Sequence, residues 1–290
     1  MGQPPLLLKG HATGNDFVLL PDPEARFDVT PAQVRALCDR RTGVGGDGLL
    51  RVVPTALCPE VAEQAPEAPW FMDYRNADGS TAEMCGNGIR LFARYLVNSG
   101  LAVPGAMTVA TRGGPHPMVV PEAGDVTVAL APATGPLLRA MPVVSVGAVS
   151  WNATAVTCPN PHAVVFVESL DDAGDLLSAP LVTPDSMFLA GVNVEFVVRV
   201  APGHVGMRVH ERGVGETLSC GTGAVAVAWA ARRADEAAGL TSPPSFRVDV
   251  PGGTLWVAEL HDGTLELTGP AVVVAEVRPS GAWWSDLSTG

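Results

Sequence analysis

The segment CGNGIRLFARYLVNSG, residues 85–100, places a cysteine and two glycines directly before an amphipathic pattern. The apolar side chains Ile89, Phe92 and Leu96 recur at spacings of three and four residues, which predicts a helix with Cys85 at its mouth. The first N–H groups and the positive end of a helix dipole favour a thiolate and attract a carboxylate. The sequence therefore predicts a reactive thiol and an anion-binding turn at one place.

A second copy of this arrangement begins at Cys220 with CGTGAVAVAWAARR. The two cysteines are 220 − 85 = 135 residues apart, and the same separation relates the strands and polar turns that precede them. The residue pairs at this separation are Met72 and Met207, Asn76 and Glu211, and Cys85 and Cys220. An internal repeat of this kind predicts two pseudo-symmetric halves that bring two cysteine-bearing helix N-termini to one cleft.

The composition indicates an ordered protein that does not bind nucleic acid or membranes non-specifically. At 290 residues and 47% hydrophobic content, the chain can bury sizeable cores. The formal net charge of −12 and the lack of a basic stripe oppose binding to nucleic acid or to an anionic membrane. The sequence shows neither a signal-peptide pattern nor a membrane-spanning apolar run, so we expect a cytoplasmic protein.

The cysteines and the lysine limit the chemistry further. The five cysteines are scattered and no pair has the C-x-x-C spacing, so we expect neither a disulfide framework nor a metal site. A pyridoxal enzyme needs a lysine for its Schiff base. Lys9 is the only lysine, and it lies in a predicted opening strand with no other feature of a pyridoxal site. We therefore expect no cofactor.

Polar residues beside predicted strands are further candidates for a site. Asn15 lies in the turn GNDF, and Asn160 and His162 stand just before an apolar strand in CPNPHAVVFV. Taken alone, Asn15 is explained as a turn residue, and Asn193, before another strand, is ambiguous. His162 differs from the other five histidines because turn residues flank it, which predicts a position at the mouth of a strand. Glu211 follows a strand and precedes Cys220 by one loop.

Three glycines match the G-x-G-x-x-G pattern, at Gly43, Gly45 and Gly48. A dinucleotide-binding loop follows a strand and opens a helix, whereas these glycines follow a predicted helix and open a predicted strand. We therefore interpret them as a turn or a substrate-facing loop.

Three other segments are predicted to lie outside the regular elements. Residues 54–69 are expected to form a Pro-rich surface connection, and residues 131–136 a crossover between the two halves. The chain is expected to close with a polar tail that carries Trp283 and Trp284.

The motifs GNDF, NADGS, CGNG, NPH, ERGVGET, CGTG and TGPA together resemble the diaminopimelate epimerase family from end to end and in order. The resemblance implies an α/β (α+β) fold of two similar domains, each a strand barrel or sheet wrapped around a central helix, with substrate between them. It implies an N-terminal half at residues 1–130, a C-terminal half at 131–269, and a return of 270–290 to the first half.

The resemblance also assigns roles to individual residues. It implies that Cys85 and Cys220 are the two acid–base residues, assisted by His162 and Glu211. The residues implied to bind substrate are Asn15, Asn76, Asn160, Asn193 and Arg212, with Gly86, Asn87, Gly221 and Thr222 around the α-carboxylate. The sequence departs from the family pattern at Gly48, where some members have a glutamine, and at Ala12 and Thr13 before GNDF.

The implied activity is a pyridoxal-independent interconversion of LL- and meso-diaminopimelate, in the lysine and peptidoglycan precursor pathway, by a homodimer. One thiolate would remove the α-proton and the other thiol would protonate the opposite face. A proline or hydroxyproline racemase is the main alternative, although its first motif usually reads C-G-H-G where this chain has Asn87. A phenazine-type isomerase is opposed by the presence of both cysteines, and a non-catalytic amino-acid-binding protein would have no use for two reactive thiols.

Overall fold

The computed structural model describes residues 4–135 and 141–289, so Pro136, the last residue of the expected crossover, lies outside the described residues. The chain divides into two compact units, Met1–Val128 with Pro270–Gly290, and Ala129–Gly269. Helices and strands are mixed in both units. None of the helices within the described ranges is long and apolar enough to cross a membrane.

The described strands, in chain order, are β1 (Leu7–Ala12), β2 (Asn15–Pro21), β3 (Gly48–Pro54), β4 (Trp70–Asn76), β5 (Gly105–Ala110), β6 (His116–Val120), β7 (Val126–Leu130), β8 (Val143–Val146), β9 (Val149–Asn152), β10 (Thr154–Cys158), β11 (Asn160–Phe166), β12 (Leu181–Thr183), β13 (Asn193–Ala201), β14 (His204–Glu211), β15 (Gly215–Thr217), β16 (Ser245–Val250), β17 (Gly253–Glu259), β18 (Leu265–Gly269) and β19 (Val272–Val277). The helices are α1 (Pro31–Cys38), α2 (Gly86–Asn98), α3 (Gly221–Ala237) and α4 (Gly281–Thr289).

The first unit wraps its strands around α2. The strand order is β7-β6-β5-β4-β3-β2-β1-β19, and α2 contacts six of these strands on the inner side: β1, β2, β3, β4, β6 and β19. Residues 86–96 of α2 are all buried, because apolar side chains occupy most of the helix surface. Burial of this apolar area makes α2 the central helix of the unit.

The second unit repeats the plan around α3. Its strand order is β10-β11-β13-β14-β16-β17-β18, and β15 pairs with β14. The first turns of α3 are rich in alanine and valine, which pack closely against β10 and β11. The second unit also contains a separate antiparallel sheet with the strand order β12-β8-β9.

Both cysteines cap their helices, as the sequence predicts. Cys85 precedes α2 with an extended backbone (φ −141°, ψ 119°), and Cys220 precedes α3 in the same way (φ −118°, ψ 113°). Each Sγ accepts a hydrogen bond from the N–H three residues later, on Gly88 at 3.4 Å and on Gly223 at 3.3 Å. A cysteine thus takes the place that serine, threonine or aspartate usually fills at a helix N-cap.

Two of the predictions for irregular segments are wrong in part. Residues 54–69 form two short 3₁₀ turns that bury Val61 and Ala68 against Phe71, so the segment is not simply a surface connection. The polar tail contains helix α4, whose Trp284 meets the ring of Phe27 edge-on at 5.9 Å. In both segments, a few apolar side chains reach a core that local sequence does not reveal.

Candidate active site

The Cys85 turn gathers three of the predicted site residues. The β1–β2 hairpin places Asn15 so that its Oδ1 accepts hydrogen bonds from Asn87 Nδ2 at 3.2 Å and from Cys85 Sγ at 3.7 Å. Asn76 is set apart from this group, since its amide bonds the Tyr74 hydroxyl at 2.8 Å and the Ser80 hydroxyl at 2.9 Å. Cys85 itself is partly exposed, so a ligand can reach the thiol.

A fully buried arginine supports the Cys85 turn from inside the unit. Arg90 donates hydrogen bonds to the Gly86 carbonyl and to Asn87 Oδ1, both at 3.0 Å, and to the Thr13 hydroxyl at 3.4 Å. Burial lowers the pKa of the guanidinium to about 10, and interaction with Cys85 opposes that shift. Arg90 therefore keeps its positive charge at neutral pH, close to the first turn of α2.

The Cys220 turn has acidic surroundings instead. The Cys220 thiol hydrogen-bonds Glu211, and Glu211 accepts a hydrogen bond from the Thr217 hydroxyl at 2.5 Å. Thr222 Oγ1 lies 3.5 Å from Cys220 Sγ. Burial, and then the carboxylates of Glu211 and Glu195, raise the pKa of the Cys220 thiol well above its usual value. Burial also raises the pKa of Glu211. Cys220 is therefore a protonated thiol at neutral pH.

His162 lies within β11 and is completely buried, so the prediction that it stands before the strand at its mouth is wrong. Its Nδ1 is 2.6 Å from Glu195 Oε1, and its Nε2 is 3.0 Å from Asn160 Oδ1. Strand β11 runs parallel to β13, which brings the histidine and the glutamate to the same side of the sheet. The three residues form one hydrogen-bonded row.

Asn193, the first residue of β13, meets Arg212 in the turn that follows β14. Asn193 Oδ1 accepts a hydrogen bond from the Arg212 backbone N–H at 2.9 Å. The Arg212 guanidinium bonds the Ala190 carbonyl at 2.8 Å and is otherwise exposed, so its remaining donors can meet a carboxylate.

Gly48 has a steric reason to lack a side chain. A Cβ at this position would lie 2.6 Å from the Arg75 carbonyl oxygen and 2.8 Å from the Tyr74 ring. A glutamine therefore does not fit this backbone, which accounts for the departure from the family pattern.

The two cysteine turns differ in what lies beneath them. In the first unit, Phe17 and Leu50 pack under the turn, within 3.5 Å of a Cβ added at Gly88. In the second unit, Glu195 lies 2.9 Å from a Cβ added at Gly223. Position by position, the apolar pair of the first unit is replaced by a buried acid–histidine pair in the second.

The strand registers establish this correspondence. Phe17 pairs with Gly48 across parallel strands β2 and β3, and His162 pairs with Asn193 across parallel strands β11 and β13. Two residues further along, Leu19 faces Leu50. At the same step of the second unit, Val164 faces Glu195.

Metal binding has no support in the described ranges, which contain no group of three or more His, Cys, Asp or Glu arranged to hold a metal ion. All five cysteines are free thiols. The titratable side chains at these turns are thiols, carboxyls and one imidazole, groups that can transfer protons.

The sequence profile of the family described as diaminopimelate epimerase matches residues 7–135 and 154–274. The chain belongs to the diaminopimelate epimerase family. A relative named diaminopimelate epimerase from Streptomyces coelicolor is 57% identical over 95% of this chain and 96% of its own. Another from Rhodococcus opacus is 43% identical over 97% of this chain and 99% of its own.

Solved structures agree on the fold. A hydroxyproline epimerase from Agrobacterium vitis aligns with a TM-score of 0.64 at 17% identity, covering 94% of this chain and 91% of that one. At this identity the likeness concerns the fold alone. The expected family and the expected α/β fold class are confirmed.

Sequence reasoning missed three residues of these turns: Arg90, Glu195 and Gly223. Arg90 and Glu195 each carried a signal, because a charged residue interrupts an otherwise apolar helix or strand. Charged residues are almost never fully buried unless they are paired, so such an interruption favours a functional role. Gly223 carried a weaker signal, as the partner of Gly88 in the repeat.

Proposed function

We propose that this chain interconverts LL- and meso-diaminopimelate without a pyridoxal cofactor, using Cys85 and Cys220 as the two acid–base residues. The relatives that share 57% and 43% of its residues are named for this activity. The observation that carries the proposal is that both cysteines cap a helix and lie in opposite electrostatic surroundings. The reaction belongs to lysine and peptidoglycan precursor synthesis.

The chemistry follows from the weak acidity of an amino-acid α-hydrogen. Removal of that proton leaves negative charge that moves into the α-carboxylate as an enolate-like dianion. Backbone N–H groups at a helix N-terminus are preorganised donors for such charge. We assign this role to Gly86 and Asn87 on α2, and to Gly221 and Thr222 on α3.

The surroundings of the thiols support different resting states for the two. The positive charge of buried Arg90 favours a thiolate at Cys85, whereas the carboxylates around Cys220 keep that thiol protonated. Cys85 takes the α-proton and becomes a thiol, and Cys220 gives its proton to the opposite face and becomes a thiolate. The reverse reaction starts from this second state, and exchange with solvent resets the pair.

The remaining predicted residues position the substrate. Arg212 offers a planar fork to the distal carboxylate, and the amides of Asn15, Asn76, Asn160 and Asn193 orient the amino and carboxylate groups. His162 and Glu211 act with Cys220, since Glu211 bonds the thiol directly. Contacts remote from the reacting carbon hold it in line with the thiols.

The domain limits and the oligomeric state are proposed from the resemblance to the same family. We propose domains at residues 1–130 with 270–290 and at 131–269, and a homodimer as the working form. A reducing compartment such as the cytoplasm suits an enzyme whose two reacting groups are free thiols.

The test is epimerisation in deuterated water, followed by NMR and by chiral separation of the isomers. LL-diaminopimelate should yield meso product that is deuterated at the inverted α-carbon from the first turnover, while remaining substrate stays protiated. Cys85→Ser and Cys220→Ser should each abolish inversion. Early product that retains substrate hydrogen would contradict the two-base mechanism, and inversion of proline or hydroxyproline in place of diaminopimelate would support the racemase alternative.

A further inference from the structure

Glu195 is a buried carboxylate whose bond to His162 has no role in the mechanism proposed for the two thiols. Its side chain is fully buried in β13, Oε1 lies 2.6 Å from His162 Nδ1, and Oε2 has no hydrogen-bond partner. A buried carboxylate is costly unless its charge is compensated, so its retention needs a reason.

The fold itself does not supply that reason. The corresponding place in the first unit holds Leu50, next to Phe17, under an equally well-formed cysteine turn. Replacing a buried charged pair by apolar residues is often neutral or stabilising. The same architecture is thus built without a charged pair, and only the Cys220 turn has one.

We propose that Glu195 is a positioning residue for the epimerisation, holding His162 by its Nδ1 proton so that Nε2 faces Asn160, and placing a second carboxylate against the Cys220 turn. The proposal rests on the proposed epimerase function. An ionised carboxylate only accepts hydrogen bonds, so Nδ1 must carry the proton in this pair. Nε2 of the neutral ring is then an acceptor, and the Asn160 amide meets it with its N–H₂ group, an orientation that the hydrogen-bond network assigns. A short charge-assisted bond of this kind fixes both the tautomer and the ring plane.

The groups around Glu195 explain what this arrangement does. Glu195 Oε1 packs closely against Gly223 in the first turn of α3. A Cβ added at Gly223 would lie 2.9 Å from Oε1 and 3.3 Å from Cys220 Sγ. The carboxylate therefore lies near the thiol, and its charge adds to the effect of Glu211. Fixed together, His162 and Glu195 keep Asn160 in place and Cys220 protonated until substrate arrives.

The first experiment needs no substrate. Proton NMR of ¹⁵N-labelled protein should show a strongly downfield Nδ1–H for His162, assigned by its loss in His162→Gln. Glu195→Gln keeps the size of the side chain and removes its charge, so this resonance should move upfield. The exposed Glu236→Gln on α3 is the matched control and should leave it in place. A resonance unmoved in Glu195→Gln, or a wild-type proton on Nε2 alone, would overturn the proposal.

Kinetics and stability give the second readout. In Glu195→Gln, kcat should fall by about tenfold, a part of the 10²–10⁴ that general acid–base catalysis contributes, with KM within about twofold of wild type. The double variant His162→Phe with Glu195→Leu, which copies the first unit, should melt at or above the wild-type temperature. Wild-type kcat in Glu195→Gln, or a lowered melting temperature in the double variant, would show that the pair of His162 and Glu195 has only a structural role.

The two readouts separate this proposal from the proposed function. If the wild type does not turn over diaminopimelate, the function fails and the NMR result still decides whether Glu195 holds His162. If turnover is present and the resonance is unmoved in Glu195→Gln, the function stands and the role of Glu195 fails.

Discussion

Replacing Arg90 by methionine should separate its effect on catalysis from its effect on stability. Methionine fills a similar volume and removes a buried charge along with hydrogen bonds to Gly86 and Asn87. Hydrogen bonds from a charged donor contribute about 1.5–3 kcal/mol each. Relief of the desolvation penalty returns several kcal/mol, so the free energy of unfolding should change by no more than about 2 kcal/mol.

The loss of the charge should act on Cys85. The Arg90 guanidinium reaches back to the Gly86 carbonyl, one residue after Cys85, so we take the helix rise between the two residues, about 8 Å, as an upper value for the separation of their charges. At an effective dielectric constant of about 20, unit charges at that distance interact by about 2 kcal/mol. Without Arg90 the thiolate fraction of Cys85, and kcat with it, should fall by about tenfold or more.

The assay is kcat for epimerisation together with the rate of Cys85 alkylation at pH 7, each compared with the melting temperature. Arg94→Met is the matched control, because Arg94 is a buried arginine of the same helix that bonds the carbonyls of Pro121 and Gly124 instead. That variant should lose stability and keep the alkylation rate. Wild-type alkylation and kcat in a folded Arg90→Met protein would refute the electrostatic role of Arg90.

Three further predictions concern the cysteine turns. At pH 8.5 an ordinary thiol is about half ionised, but Cys220 should remain protonated because its pKa is raised. Peptide mapping should therefore find Cys85 alkylated first, and faster alkylation of Cys220 would contradict this prediction. Glu211→Gln should lower kcat by about 10²-fold with little change in KM, because its proposed task is proton transfer; intact turnover would reduce it to a structural carboxyl. Gly223→Ala should lower both kcat and the melting temperature more than Gly88→Ala. The Cβ added at Gly223 would lie 2.9 Å from a buried carboxylate oxygen, whereas the Cβ added at Gly88 would lie 3.3 Å from a methyl group. Equal losses in the two variants would contradict this explanation.

The helix starts could be predicted because two local signals agree there. At both Cys85 and Cys220, a cap residue and glycines come before apolar periodicity, and neither signal depends on the rest of the chain. Helix α4 could not be predicted, because its tryptophans are ordered by contact with Phe27 and the core next to α1. Tertiary packing of this kind overrides weak local propensity.

The repeat was only half visible in the sequence. The separation of 135 residues holds for the strand and turn before each cysteine, but the strands further upstream follow a different one. Phe17 and His162 are 162 − 17 = 145 residues apart, and Leu50 and Glu195 are 195 − 50 = 145 apart. The connection between the upstream strands and the strand before the cysteine is ten residues longer in the first unit than in the second. One constant offset therefore does not align the residues beneath the two cysteine turns.

The second offset supports the proposal that Glu195 acts in the reaction. Aligned at 145, Asn15 corresponds to Asn160 and Phe17 to His162, so the asparagine is kept while the residue two positions later changes from apolar to titratable. A symmetric pair of thiols would have no reason to rest in different protonation states. In the proposed mechanism, Glu195 and Glu211 near Cys220 and Arg90 near Cys85 supply that difference, because two-base inversion needs one thiol and one thiolate at the start of every turnover.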